Sequence, residues 1–150
     1  MKSNKFSLTI LLLLSLNLGL WAQDDESSSV KKLIVGTWVF DYNISSTKMK
    51  PEAKEGLESI PSDLKDKVIA SYKGRRLTFN ESGKYNIRVG SSVLWEANWR
   101  MDNGRIVLKD SQGFIQEFKI KSIDMETLIL SPIPQEGQII YFSDWYLKKQ

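Results

Sequence analysis

Ile34-Val35-Gly36-Thr37-Trp38-Val39-Phe40-Asp41-Tyr42 is the stretch that decides how this chain is read. Trp38, Phe40, Tyr42 and then Ile44 share one parity, while Val39, Asp41 and Asn43 share the other. One face is apolar and aromatic and the other mostly polar, the period-2 pattern of a half-buried β-strand. Gly36, two residues before Trp38, lets the backbone turn in under a floor across which the indole lies. Gly36 and Trp38 are therefore expected to seal one end of the fold rather than to touch a ligand.

Working outward, everything after residue 74 reads as a meander of further strands. Leu77 and Phe79 mark the second, and Tyr85, Ile87 and Val89 the third. Trp95, Ala97, Trp99 and Met101 share a face of the fourth. Asp102-Asn103-Gly104 reads as a type I′ hairpin turn, because Asn-Gly accepts positive φ. Ile106 and Leu108 follow on the fifth strand, and Phe114, Gln116, Phe118 and Ile120 face inward on the sixth. Leu128 to Leu130 form the seventh and Ile139 to Leu147 the eighth, with Pro132 and Pro134 in the loop between. Eight is an even number that closes up-and-down without an open edge. The expected fold is all-β, an eight-stranded antiparallel up-and-down barrel.

Residues 45–74 interrupt the alternation. Pro51, Glu52 and Glu55 suit the first turns of a short helix that Ile60-Pro61 would end. Ser62 is expected to N-cap a second helix, with Leu64, Val68, Ile69 and Tyr72 on one face and Gly74 at its end. With Trp38 at the floor, the first strand runs toward the opposite end of the barrel. The helical insert at about 51–73 then stands at the mouth, either as a lid presenting Leu64, Val68 and Tyr72 or as a plug on the rim.

Three further stretches support the Gly-x-Trp opening: Leu77 to Tyr85, Trp95 to Gly104, and Arg105-Ile106-Val107-Leu108. Over roughly residues 33–148 the order resembles the small exported lipocalin-like domains of Bacteroidetes-type bacteria, within the calycin superfamily. The resemblance implies a barrel that binds or carries a small hydrophobic ligand. Fatty-acid-binding proteins place a helical pair in the same slot, which implies a portal. Lipocalins usually set an arginine from the last strand over the floor tryptophan. Here the strand ends Trp145-Tyr146-Leu147-Lys148-Lys149, and Lys148 is a weaker substitute whose parity points outward. That difference, the missing disulfide and the missing Thr-Asp-Tyr turn set the chain apart from animal lipocalins.

Met1 to Ala22 reads as a secretory signal peptide, with Lys2 and Lys5 in the n-region, a leucine-rich run from Phe6 to Leu20, and cleavage expected before Gln23. Losing those two lysines lowers the formal net charge by two, from +3 to +1. Little is left to attract nucleic acid or a membrane surface. Arg75-Arg76 and Lys148-Lys149 read as solvated strand ends. Residues 23–32, acidic and serine-rich, read as a flexible spacer before a barrel domain at 33–150. Without cysteine, the expected product has no disulfide and no lipoprotein anchor. It would be periplasmic or secreted, with no integral membrane segment after cleavage and its oligomeric state left open.

The inward parity gathers Phe40, Tyr42, Phe79, Tyr85, Trp95, Trp99, Phe114, Gln116, Phe118, Tyr141 and Ser143 as candidate ligand-binding residues. Gln116, Ser143 and the tyrosine hydroxyls would orient a small hydrophobic molecule, lipid-like or flat and aromatic. The competing reading is a filled barrel that serves as a protein-interaction module through an outward patch of Ile140, Phe142 and Tyr146. Enzymatic chemistry is not expected. The chain has no His and no Cys, no Gly-rich phosphate loop and no Gly-x-Ser-x-Gly elbow. Asp41, Glu96, Glu117 and Asp144 fall on outward parities, so no catalytic, metal or cofactor site is assigned.

Overall fold

The computed structural model describes residues 28–150, so the expected signal peptide and residues 23–27 of the spacer lie outside the described residues. Strands β1 (Gly36–Phe40), β2 (Arg75–Phe79), β3 (Lys84–Val89), β4 (Ser92–Asp102), β5 (Arg105–Lys109), β6 (Ile115–Ile123), β7 (Thr127–Ile133) and β8 (Trp145–Lys149) close into a barrel in sequence order. Every neighbouring pair is antiparallel, including the closing pair of β1 with β8. The alternation expected from the sequence holds: Leu77 and Phe79, Ala97 and Trp99, Ile106 and Leu108, and Leu128 and Leu130 are all buried. Asn103 and Gly104, at φ 48° and 72°, form the tight β4–β5 turn.

Two bulges punctuate the ladder. Ile87 pairs with Trp95 but Arg88 pairs with Val93, so Leu94 is an extra residue at the mouth rim; Lys121 is likewise passed over between Ile120 and Ser122.

The floor is built as a unit. Residues 28–34 form helix α1, so helix begins within the stretch read as a spacer to residue 32, and Ile34 is fully buried beneath Trp38. Trp38 Nε1 donates to the Ile34 carbonyl at 2.7 Å. The cation over its ring is Lys149, at 4.9 Å, and Lys149 Nζ also donates to the Leu33 carbonyl at 3.0 Å. Lys148 instead points outward and pairs with Asp41 at 2.8 Å. Gly36, at φ +136°, lies where any Cβ would come 2.9 Å from Lys149 Cε.

Three boundaries differ from the sequence reading. β1 stops at Phe40, because the Asp41 carboxylate accepts the Ile44 N–H at 3.0 Å and caps helix α2 (Tyr42–Thr47). Tyr42 and Ile44 are thus helical rather than on an extended inner face, and Ile44 is exposed. Second, the insert helices α3 (Pro51–Ser59) and α4 (Ser62–Tyr72) form as expected, except that Pro61 takes the N-cap position and Ser62 is the first helical residue.

Third, β8 begins only at Trp145, and residues 134–144 run as a loop at the mouth. Gly137, at φ +76°, turns that loop, so parity counted back from Trp145 has no meaning there. Phe142 is 1% exposed and packs on Tyr72, Phe40 and Tyr42, with ring centroids 4.5, 5.3 and 5.8 Å away. The outward patch of Ile140, Phe142 and Tyr146 therefore does not form. Pro132 is not in the loop but in β7, opposite Phe118 and beyond the stretch that β8 pairs.

Candidate functional site

The β1–β2 insert and the β7–β8 loop both connect strand ends opposite the Trp38 floor. Between them lies a cavity of about 220 Å³. Tyr85, Ile87, Trp95, Phe118, Pro132 and Trp145 supply walls from the strands. Tyr72 reaches in from the end of α4, Phe114 from the β5–β6 turn, and Gln138, Ile139 and Ile140 from the loop. No carboxylate lines it.

Five of the residues expected to bind ligand meet here: Tyr85, Trp95, Phe114, Gln116 and Phe118. Phe79 and Trp99 instead pack below the cavity, edge to face at 5.3 Å, with Trp99 Nε1 donating to the Asn80 carbonyl at 2.8 Å. Phe40 and Tyr42 belong to the Phe142 cluster and line a separate surface hollow with Asp41 and Lys148. Tyr141 and Ser143 lie in the loop and do not line the cavity. Of the proposed lid residues only Tyr72 reaches it; Leu64 is 47% exposed and Val68 is half-buried.

The polar side chains on the wall divide into two groups. Gln116 Nε2 donates to the carbonyls of Glu117 and Ile133, at 2.9 and 3.2 Å, and its Oε1 accepts from Gln138 Nε2 at 2.8 Å. Gln116 thus anchors the loop to β6, helped by Gln135 Nε2, which bonds the Ile115 carbonyl. The Tyr85 hydroxyl and Trp145 Nε1, by contrast, are buried without a partner. Burial pushes the Tyr85 phenol well above its ordinary range. Trp95 is fixed from outside the cavity, its Nε1 donating to Asp110 at 3.1 Å. That bond, with the Phe114 and Gln112 amides behind it, holds the Asp110 carboxyl below its usual range.

Arg75 is the residue that sequence reasoning missed. In the sequence it reads as a solvated strand end, yet it is 9% exposed and lines the cavity. The signal was its parity, shared with Leu77 and Phe79. Burial lowers its pKa, and the groups that counter this are Tyr72 and Tyr85.

Asp41 and Asp144 sit in ion pairs with Lys148 and Lys121, and Glu117 pairs with Arg105. Among the described residues no three His, Cys, Asp or Glu side chains are grouped to hold a metal ion, and no helix is long and apolar enough to cross a membrane. Comparison with known proteins found no matching family model, curated protein or solved structure.

Proposed function

We propose that this protein is an exported, lipocalin-like carrier that holds one small, largely apolar molecule in the cup at the barrel mouth. The observation that carries this reading is the aromatic-walled cavity of about 220 Å³, open between α4 and the 134–144 loop. A ring that buries about 200 Å² gains about 5 kcal/mol from apolar burial before the costs of association. Binding and release, rather than turnover, is the mode of action. A chain without His or Cys, and a cavity wall without a carboxylate, support that choice. The leader sequence supports export.

Native mass spectrometry of protein taken from its own source tests the reading, followed by titration of tryptophan fluorescence with the uncharged probe 3-phenylpropan-1-ol. A stoichiometric bound mass or a saturable fluorescence change is expected. A bare mass together with no saturable response to charged or uncharged one-ring probes would contradict carriage.

A further inference from the structure

Arg75 opens β2, yet its guanidinium is enclosed. Nε donates to the Ser71 carbonyl at 3.0 Å, and Nη2 lies 3.4 Å from the Ser71 hydroxyl, so the last turn of α4 holds one edge. The Tyr72 ring centroid is 3.8 Å from the guanidinium carbon and that of Trp145 is 5.1 Å away. No ion pair among the described residues includes Arg75; beside Ser71, its hydrogen-bond partner is the neutral Tyr72 side chain, which supplies no counter-charge. A buried cation without a counter-charge is among the least favourable arrangements in a folded chain.

The same wall carries the Tyr85 hydroxyl and Trp145 Nε1, both buried and unpartnered. Arg75 and Trp145 can only donate, and Tyr85 remains a neutral phenol able to donate. The other polar side chains on the wall are engaged: Gln116 and Gln138 bond to each other, Trp95 donates to Asp110, and Tyr72 bonds to Arg75 itself. What is missing is an acceptor that carries negative charge.

We infer that Arg75, with the Tyr85 hydroxyl and the Trp145 indole N–H, forms an anion-binding end of the cavity, and that the ligand is a small carboxylic acid whose apolar part is one aromatic ring or a short chain. This rests on the carriage reading above. A carboxylate's two oxygens match adjacent N–H groups of a guanidinium, and its charge supplies what Arg75 lacks. Size sets the other limit. An apolar cavity of about 150 Å³ holds benzene. At about 220 Å³, this one takes a ring with a short acid-bearing arm, and falls below the roughly 300–1,000 Å³ of sites for drug-sized ligands.

Calorimetric titration of the ligand-free chain at pH 7.5 and fixed ionic strength tests this, using 3-phenylpropanoate, its uncharged amide and 3-phenylpropan-1-ol. The acid is expected to bind about tenfold or more tightly than the amide. Arg75→Met should erase that preference while leaving the amide's affinity nearly unchanged. Should Arg75→Met fail to fold, Tyr85→Phe should lower affinity for the acid severalfold and spare the alcohol. Equal binding of acid and amide by the unaltered chain, or a preference that survives Arg75→Met, overturns the anion site and leaves carriage standing. So does Tyr85→Phe with unchanged affinity for the acid. Displacement of the acid by an equal concentration of inorganic phosphate marks a generic anion site and overturns the carboxylic-acid assignment. Tighter binding of hexadecanoate than of 3-phenylpropanoate overturns the size limit. Binding of none of the probes overturns both readings.

Discussion

At Gly36 two constraints coincide: a φ of +136° that side chains rarely adopt, and a Cβ position 2.9 Å from the Lys149 stem that lies over Trp38. Gly36→Ala is expected to destabilise the fold by about 1–3 kcal/mol, read as a lower urea midpoint with an unchanged slope. An unchanged midpoint would mean that Lys149 can leave the floor freely. At the other end of β1, Asp41 joins a helix cap to an ion pair with Lys148, and both hold its pKa below the ordinary 3.8, the Lys148 hydrogen bond foremost. A lowered folded-state pKa gives stability that is complete above the unfolded value and is lost as pH falls through the folded one. Asp41→Asn, which keeps a capping oxygen but cannot ionise, should be less stable than the unaltered chain by about 0.5–1 kcal/mol at pH 7. That gap should narrow as pH falls below the ordinary 3.8, as read from urea unfolding across the acid range; a gap independent of pH would remove the ion pair from the account. Single residues were unevenly legible in the sequence. Gly36 showed itself by its spacing from Trp38, whereas Lys149, read with Lys148 as a solvated strand end, lies over the Trp38 ring on the parity of Trp145 and Leu147. Arg75 was obscured because charge at a strand end is usually solvated, and its burial depends on α4 folding back over it.

Among the elements, the mouth is where local pattern and tertiary structure part. The alternation from Trp38 to Ile44 argues for strand, but Asp41 is a good N-cap and its cap takes over one residue later. The continuous apolar run from Ile139 to Phe142 also reads as strand, yet Gly137 and the Gln116–Gln138 bond turn it into a loop whose Phe142 plugs a ring cluster. Phe142→Ala should cost about 3–5 kcal/mol, the loss expected of a buried ring in a packed core. A cost below about 1 kcal/mol would restore Phe142 to the surface. The insert helices are lightly held by comparison: α4 has no fully buried residue, and Leu57 is the one in α3. Backbone amides of 51–72 are therefore expected to exchange hydrogen faster than those of β2 to β7, as a movable cover would. Equal protection across the insert and the barrel would make the helices a fixed plug. The two helices themselves were legible, through Pro51, Pro61 and Gly74; how little of them is buried was not, since an apolar face in sequence does not name what it faces.

For the whole molecule, closure follows from eight antiparallel strands, joined by short turns from β2 to β7, and the turn chemistry at Asn103-Gly104 and Gly83 was readable residue by residue. What alternation does not give is how far inward-facing rings fill the space. The lower half is filled by Ile34, Trp38, Phe79 and Trp99, held in part by the Trp38 and Trp99 hydrogen bonds. The upper half keeps an opening because a turn, a loop and a helix end, rather than strand side chains alone, wall it. The division between a sealed floor and an open cup is the central claim, and the tryptophans report on it directly. Trp38 and Trp99 lie in the floor, Trp95 and Trp145 on the cavity wall, and each carries one indole N–H. The measurement is a series of proton–nitrogen correlation spectra of the chain titrated with 3-phenylpropanoate. Saturable shifts of the Trp95 and Trp145 indole signals, with those of Trp38 and Trp99 unmoved, are predicted. Shifts confined to Trp38 and Trp99, or no saturable shift at any of the four, would contradict a ligand cup at the barrel mouth.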